Sequence, residues 1–264
     1  MPQQKPYKIL LIGDSCVDEY VYGTCERLNP EAPVPILKFG RKETKNGMAW
    51  NVRNNLLAFG MEVYMLTNKE RIVKTRYIDE KYNQQILRVD VEDAVSPMDY
   101  EIPDGEYDAI VISDYDKGFI TQEKLFEIVS NSNFPVFVDS KKTVLPESNC
   151  FIKINDNESK LLKSKNNNLI ITRGSAGAEY NGVLYPGEKV SIFDVVGAGD
   201  TFLSALVYFY LEYGKIENAI PYANKAASIA VSNFGTYVLT KEDINAICNW
   251  YWRNNLRKRW LFVL

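Results

Sequence analysis

Phe193-Asp194-Val195-Val196-Gly197-Ala198-Gly199-Asp200-Thr201-Phe202 turns on two glycines and delivers an aspartate onto the first turn of an apolar helix. Without β-carbons at Gly197 and Gly199 an anion can approach the backbone, and a helix that starts there points unpaired N–H groups outward. With Ala198 between them, the turn reads as a cradle for a transferring phosphoryl group. Asp200 shares that positive helix end, which favours its ionised form near neutral pH and suits it to accept a proton from an attacking hydroxyl. A kinase of small hydroxylated molecules needs that pairing. The same residues also suit a plain helix cap after a tight turn.

The 264 residues are 46% hydrophobic, enough for one large core, and nothing divides the chain into equal halves. One principal α/β domain over residues 1–264 is expected. With 31 basic and 34 acidic residues the formal net charge is -3, and no basic block stands out before Arg253 to Arg259. Such a balance offers no field for nucleic acid and points to a small-molecule partner. The apolar run Ile9-Leu10-Leu11-Ile12 is too short for a bilayer and lacks the pattern of a secretory signal, so no membrane partner and a cytoplasmic location are expected. Cys16, Cys25, Cys150 and Cys248 form no C-x-x-C pair and read as reduced, mostly buried thiols. The chain has no histidine, which excludes the usual zinc sites, Ser-His-Asp hydrolysis and any histidine base. General-base work falls to a carboxylate, lysine or tyrosine.

Lys8 to Gly13 reads as a buried strand, with Asp14 and Asp18 just past its C-terminal end, where ligands gather in open parallel sheets. Those two carboxylates are candidates for gripping sugar hydroxyls, or serve as a turn aspartate and a helix cap. From Tyr20 to Phe39 short extended pieces are broken by Pro30, Pro33 and Pro35, and residues 71–91 alternate again. Strands there would form a small sheet outside the main one, a lid over a pocket or an ordinary surface hairpin. Ala49 to Phe59 has helical spacing and stops at Gly60. The remainder alternates strands (Ala109 to Ser113, Val136 to Asp139, Phe151 to Ile154, Leu169 to Thr172) with helices (Gln122 to Ser130, Glu158 to Lys163), the rhythm of a mainly parallel sheet flanked by helices. Asn181-Gly182 marks a hairpin within Tyr180 to Tyr185, and two apolar helices follow.

Asn155-Asp156-Asn157-Glu158, Thr172-Arg173-Gly174-Ser175-Ala176-Gly177, the Gly197 to Asp200 turn and Ala223-Asn224-Lys225-Ala226-Ala227 occur in that order. Together they resemble the ribokinase-like (PfkB) carbohydrate kinases over nearly the whole chain. The N-terminal half is most similar to the kinase domain of the bifunctional heptose-7-phosphate kinase and ADP-heptose synthase proteins. Arg27-Leu28-Asn29-Pro30-Glu31-Ala32-Pro33-Val34-Pro35, Asn83-Gln84-Gln85-Ile86-Leu87-Arg88-Val89-Asp90 and Ser113-Asp114-Tyr115-Asp116-Lys117-Gly118 carry that likeness.

The resemblance implies a ribokinase-like α/β fold with a small β lid, and phosphorylation of the anomeric hydroxyl of a heptose 7-phosphate for lipopolysaccharide or related surface-polysaccharide precursors. It implies ATP and Mg2+ as cofactors and leaves a monovalent cation open. Asp200 would deprotonate the sugar, and the N–H groups of Gly197, Ala198 and Gly199 would hold the developing charge. Asn155 and Glu158 would orient magnesium through water. Thr172, Arg173, Gly174 and Gly177 would face the nucleotide phosphates and Asn224 the adenine. Asp14, Asp18, Gly47 and Asn51 would hold the sugar, with Arg27, Arg88, Lys117 and Lys141 as cations for its phosphate. Lid strands that pair between subunits would make a homodimer.

Two features depart from the family pattern. Asn46 stands where a glycine is usual, with Trp50 nearby, and the chain between Leu66-Thr67-Asn68 and Lys74-Thr75-Arg76 is short, as though a strand and helix were deleted. No nucleotidyltransferase half is expected, since no H-x-G-H motif occurs. Another sugar kinase of the family and a non-catalytic sugar- or nucleotide-binding protein remain the alternatives.

Overall fold

The computed structural model describes residues 5–99, 101–103, 105–233 and 235–249; the basic run Arg253 to Arg259 lies outside them. Strand β1 (Lys8–Gly13) is apolar on both sides because both its faces are covered. Ile9 and Leu11 pack into one core with helices α1 (Ala49–Ala58), α4 (Ala198–Tyr213) and α5 (Ile216–Val231), while Leu10 and Ile12 pack into a second with α2 (Gln122–Asn131). Each such side chain, fully buried, contributes about 1.5–3 kcal/mol.

The main sheet adds β4 (Glu62–Thr67), β7 (Ala109–Asp114), β8 (Val136–Ser140), β9 (Phe151–Asn155), β10 (Leu169–Thr172), β11 (Gly177–Tyr180) and β12 (Val183–Pro186), in the order β12-β11-β10-β9-β8-β7-β1-β4. Six strands are parallel and the β11-β12 hairpin closes one edge antiparallel, turning through Asn181 and Gly182 at φ 50° and 74°. The expected parallel sheet with helices on both faces is what forms.

A second sheet, β3-β2-β5-β6, is built from β2 (Ser15–Leu28), β3 (Pro35–Met48), β5 (Ile72–Asp79) and β6 (Gln84–Glu92). Its first two strands have 14 residues each, longer than the short pieces expected between Tyr20 and Phe39. The prolines fall in or beside the turn joining them, where a missing N–H costs no ladder bond, so they do not break the strands. Strand β4 carries no clear mark in its sequence; it forms the main-sheet edge where the chain is shorter than the family pattern, and residues 68–71 alone join it to β5. There the Asn68 side chain accepts from Ser15 N at 2.7 Å and donates to Glu70 O at 3.0 Å, fixing the junction of the two sheets.

Helix α3 (Asp156–Leu161) starts two residues before its expected position because Asn155 caps it, accepting from Asn157 N and Glu158 N at 2.9 Å each. All four cysteines are free; Cys16 and Cys150 are buried and the other two partly so. No helix among the described residues is long and apolar enough to cross a membrane.

Candidate active site

Gly197 caps α4 at φ 77°, a conformation that favours glycine, and a β-carbon there would lie 2.6 Å from Asn51 Nδ2. The turn therefore closes tightly over α1, and Asp200 lands in the first turn of α4 with 4% exposure. Asn51 Nδ2 donates to Asp200 Oδ2 at 2.9 Å, and the Tyr115 hydroxyl donates to Asp200 Oδ1 at 2.8 Å. Burial pushes the Asp200 carboxyl up to about 6; the Asn51 bond opposes it, Asp139 adds to it, and Lys153 and the Tyr115 bond oppose it. The sequence alone credits the helix end with keeping Asp200 ionised. In the folded chain desolvation wins, yet the group remains mostly ionised at pH 7, near the optimum for a general base.

Two cavities meet at this carboxylate. A cleft of about 620 Å³ runs along the C-terminal ends of β8, β9 and β10 and over the α4 turn, and a smaller one of about 310 Å³ lies between that turn and the second sheet. Tyr115, Gly197 and Asp200 line both.

In the larger cleft stand the expected Asn155, Thr172, Gly174, Gly177, Ala198, Gly199 and Asn224; Lys141, expected at the sugar's phosphate, lines this cleft instead, where it pairs with Glu158. Asn224 donates to Tyr185 O at 2.8 Å, fixing the β12 side of the wall. Glu158 spends one oxygen on Asn155 N at 2.8 Å, completing a reciprocal capping box, and the other on Lys141, so it sits behind Asn155 and does not line the cleft. Arg173 does not line it either: its guanidinium pairs with Asp156 and with Glu179. Two residues that the motifs do not single out stand on the floor. Lys153, buried mid-strand, pairs with Asp139 at 2.5 Å and comes within 2.8 Å of where a Gly199 β-carbon would be, while Asp139 Oδ1 is buried without a hydrogen-bond partner. A lysine inside the otherwise apolar Phe151-Ile152-Lys153-Ile154 is the signal that could have found them: a buried strand cation needs an anion.

The smaller cavity holds the expected Asp18, Arg88 and Lys117, together with Lys74, Arg76 and Thr236. Asp18 pairs with buried Arg76 at 2.5 Å, and a β-carbon at Gly47 would fall 2.0 Å from Asp18 Oδ2, so Gly47 leaves room for that carboxylate and does not itself reach the cavity. Lys117 pairs with Glu92 at 2.7 Å, Arg88 with Asp90 at 2.9 Å, and Lys74 with both acids.

Besides Gly47 and Lys141, three more expected sugar-site residues have other places. Asp14 lines neither cavity; wholly buried, it accepts from the backbone N–H of Tyr115 at 2.7 Å and of Lys117 at 3.2 Å, anchoring the loop after β7. Burial and nearby Asp114 push its carboxyl up to about 6. Arg27 lies exposed near the far end of β2 and lines neither cavity, because the strand carries it past the site. Asn51 reaches Asp200 itself. Asn46 and Trp50, the family departures, line neither cavity.

Residues 152–243 match the family model of the pfkB family carbohydrate kinases. The bifunctional protein HldE of a Nitratiruptor species is 32% identical, covering 90% of this chain and 64% of the relative. The chain is thus similar to the pfkB carbohydrate kinases over residues 152–243 and to the HldE proteins over most of its length. The HldE protein of Helicobacter pylori is 30% identical over 92% of this chain and 66% of the relative, so the chain spans just under two thirds of the length of these relatives. Among solved structures, phosphofructokinase-2 from Escherichia coli in complex with potassium aligns at a TM-score of 0.71 with 17% identity, over 93% of this chain and 99% of that one. Ribokinase from Arabidopsis thaliana complexed with ribose and ATP aligns at 0.69 with 14% identity, over 92% and 99%. The fold is ribokinase-like.

Proposed function

We propose that this chain transfers the γ-phosphoryl group of ATP to a sugar phosphate, and that the acceptor is the anomeric hydroxyl of D-glycero-D-manno-heptose 7-phosphate, giving the 1,7-bisphosphate. The observation that carries this reading is the pair of cavities sharing one buried carboxylate, Asp200. ATP in the larger cleft and the sugar in the smaller would bring the γ-phosphorus and the acceptor hydroxyl together beside that carboxylate. Asp200 accepts the hydroxyl proton as the oxygen attacks, and the N–H groups at the start of α4, with Lys153, hold the charge on the transferred group.

The chain's residues fit the groups this asks for. Gly199 leaves space that a β-carbon would fill beside Lys153, which suits phosphate oxygens. Asp139, whose Oδ1 is buried without a partner, and Asn155 line the same cleft, with Glu158 behind Asn155 as its capping partner, an oxygen-rich setting for magnesium that keeps its water shell. Magnesium, when bound, would neutralise charge on the phosphates. Among the smaller cavity's residues, Lys74, Arg88 and Lys117 outnumber their acid partners Asp90 and Glu92, which supports a phosphorylated acceptor. The heptose assignment rests on the likeness to the HldE proteins. A homodimer through the second sheet is supported by Leu87, Val89 and Val91, exposed on the face turned away from Asp18 and Arg76.

The test is ADP release with heptose 7-phosphates, hexose phosphates, ribose and nucleosides, with Asp200→Asn as blank. The expected result is turnover on the heptose 7-phosphate and loss by about 10²–10⁴ in the variant, with ATP still bound. Nucleotide binding without turnover on any acceptor would favour a binding protein instead.

A further inference from the structure

We propose that Tyr115 is a positioning residue for phosphoryl transfer, its hydroxyl holding one oxygen of the base Asp200 so that the acceptor hydroxyl meets an ionised and oriented carboxylate. The inference rests on the kinase reading above and names a residue that the family motifs left without a role.

Tyr115 follows β7 on a loop fixed at its root. Its own N–H donates to buried Asp14, and the next residue's N–H donates to Asp114 Oδ1 at 2.9 Å, so the phenol has little freedom to shift. The ring lies beneath Lys141, whose Nζ is 5.4 Å from its centroid, and the hydroxyl ends on Asp200 Oδ1. Of the three residues common to both cavities, Gly197 has no side chain and Asp200 is the base; Tyr115 alone brings a side-chain donor to the transfer point. Burial and the Asp200 charge hold its ionisation well above the ordinary tyrosine range, so it donates and does not compete as a base.

The groups facing Asp200 come from several elements: Asn51 of α1, Asp139 of β8, Lys153 of β9, Lys141 just past β8, and Cys16 of β2, which burial keeps as a neutral thiol near about 12. Desolvation and Asp139 favour the protonated acid, against which Asn51, Lys153 and Tyr115 favour the anion. Tyr115 is the donor of this set that also faces the acceptor cavity. A tyrosine that merely packed beside Asp200 without donating to it would affect stability and leave the base's titration, and the acid limb that follows it, where they were.

Tyr115→Phe keeps the ring and removes the donor. The Asp200 carboxyl, assigned in ¹³C spectra of the full chain by comparison with Asp200→Asn, should titrate about one pH unit higher in the variant. The acid limb of kcat/KM should move with it, while ATP affinity stays unchanged. Should the phenylalanine variant not fold, 3-fluorotyrosine introduced at position 115 leaves the packing in place and strengthens the donor, and the carboxyl should titrate lower. A carboxyl titration at the wild-type pH in a folded variant would overturn the inference. Failure of the wild-type chain to phosphorylate any sugar would overturn the kinase reading instead, and the ligand-free titration would still report on the bond.

Discussion

The two walls that meet at Asp200 are made differently. The wall of the larger cleft comes from one continuous half of the chain, the ends of β8 to β10 and the start of α4, and presents backbone and small residues such as Gly174, Gly177, Ala198 and Gly199 above the charged floor of Asp139 and Lys153. The wall of the smaller cavity is gathered from β2, β5, β6 and the loop after β7, and presents charged side chains each tied to an opposite charge. Backbone recognition of a phosphate chain tolerates changes of side chain but not of backbone conformation. A network of paired charges is sensitive to every member, which suits the wall that chooses the acceptor.

Arg76→Ala should show the largest effect. It leaves Asp18 buried without its partner, and a loss of about 3–5 kcal/mol in unfolding free energy by denaturant titration is expected; a loss below about 1 kcal/mol would mean the second sheet does not depend on that pair. Gly197→Ala probes the backbone wall. A β-carbon there meets Asn51 Nδ2 at 2.6 Å with φ at 77°, so kcat should fall by about 10²–10³ with the fold retained. Lys117→Ala should raise KM for a phosphorylated acceptor about tenfold or more and leave KM for ATP unchanged; an equal change in both would erase the distinction between the walls.

Much of this is legible in the chain because it is local. The Lys8 to Gly13 strand coincides with β1, and the turn from Gly197 to Asp200 stands at a helix start, since short apolar runs, glycines and caps act over a few residues. The pair Asp18–Arg76 joins positions far apart in sequence and leaves no spacing to read, while Asp139–Lys153 leaves only a lysine in an apolar strand, which calls for an anion without naming it. Asp14 is legible as a residue of the right sheet edge, but its direction depends on the loop after β7, which only the fold supplies. The 14-residue strands look like short pieces in the sequence because prolines mark breaks without saying which side of a turn they serve.

A further expected effect is on stability against pH. Asp14 and Asp200 each titrate at about 6 in the folded chain against an ordinary value of 3.8, so between those values the folded state binds more protons than the unfolded one. Their contribution to stability is therefore lost as pH rises from about 4 to about 6. Asp200→Asn removes one of them, so the variant should gain on the order of 2 kcal/mol relative to wild type above pH 6. That gain should vanish near pH 4. A gap between the two melting curves that is the same at pH 4 and pH 8 would place the cost of burial elsewhere.

The central claim is that one carboxylate serves both cavities. A crystal structure of the chain with a non-hydrolysable ATP analogue and heptose 7-phosphate tests it most directly. The account expects the triphosphate to end at the N–H groups of the Gly197 to Gly199 turn, with the acceptor hydroxyl about 2.6–3.2 Å from an Asp200 oxygen. A nucleotide whose phosphates end away from that turn, or a sugar whose hydroxyls all lie beyond reach of Asp200, would contradict it.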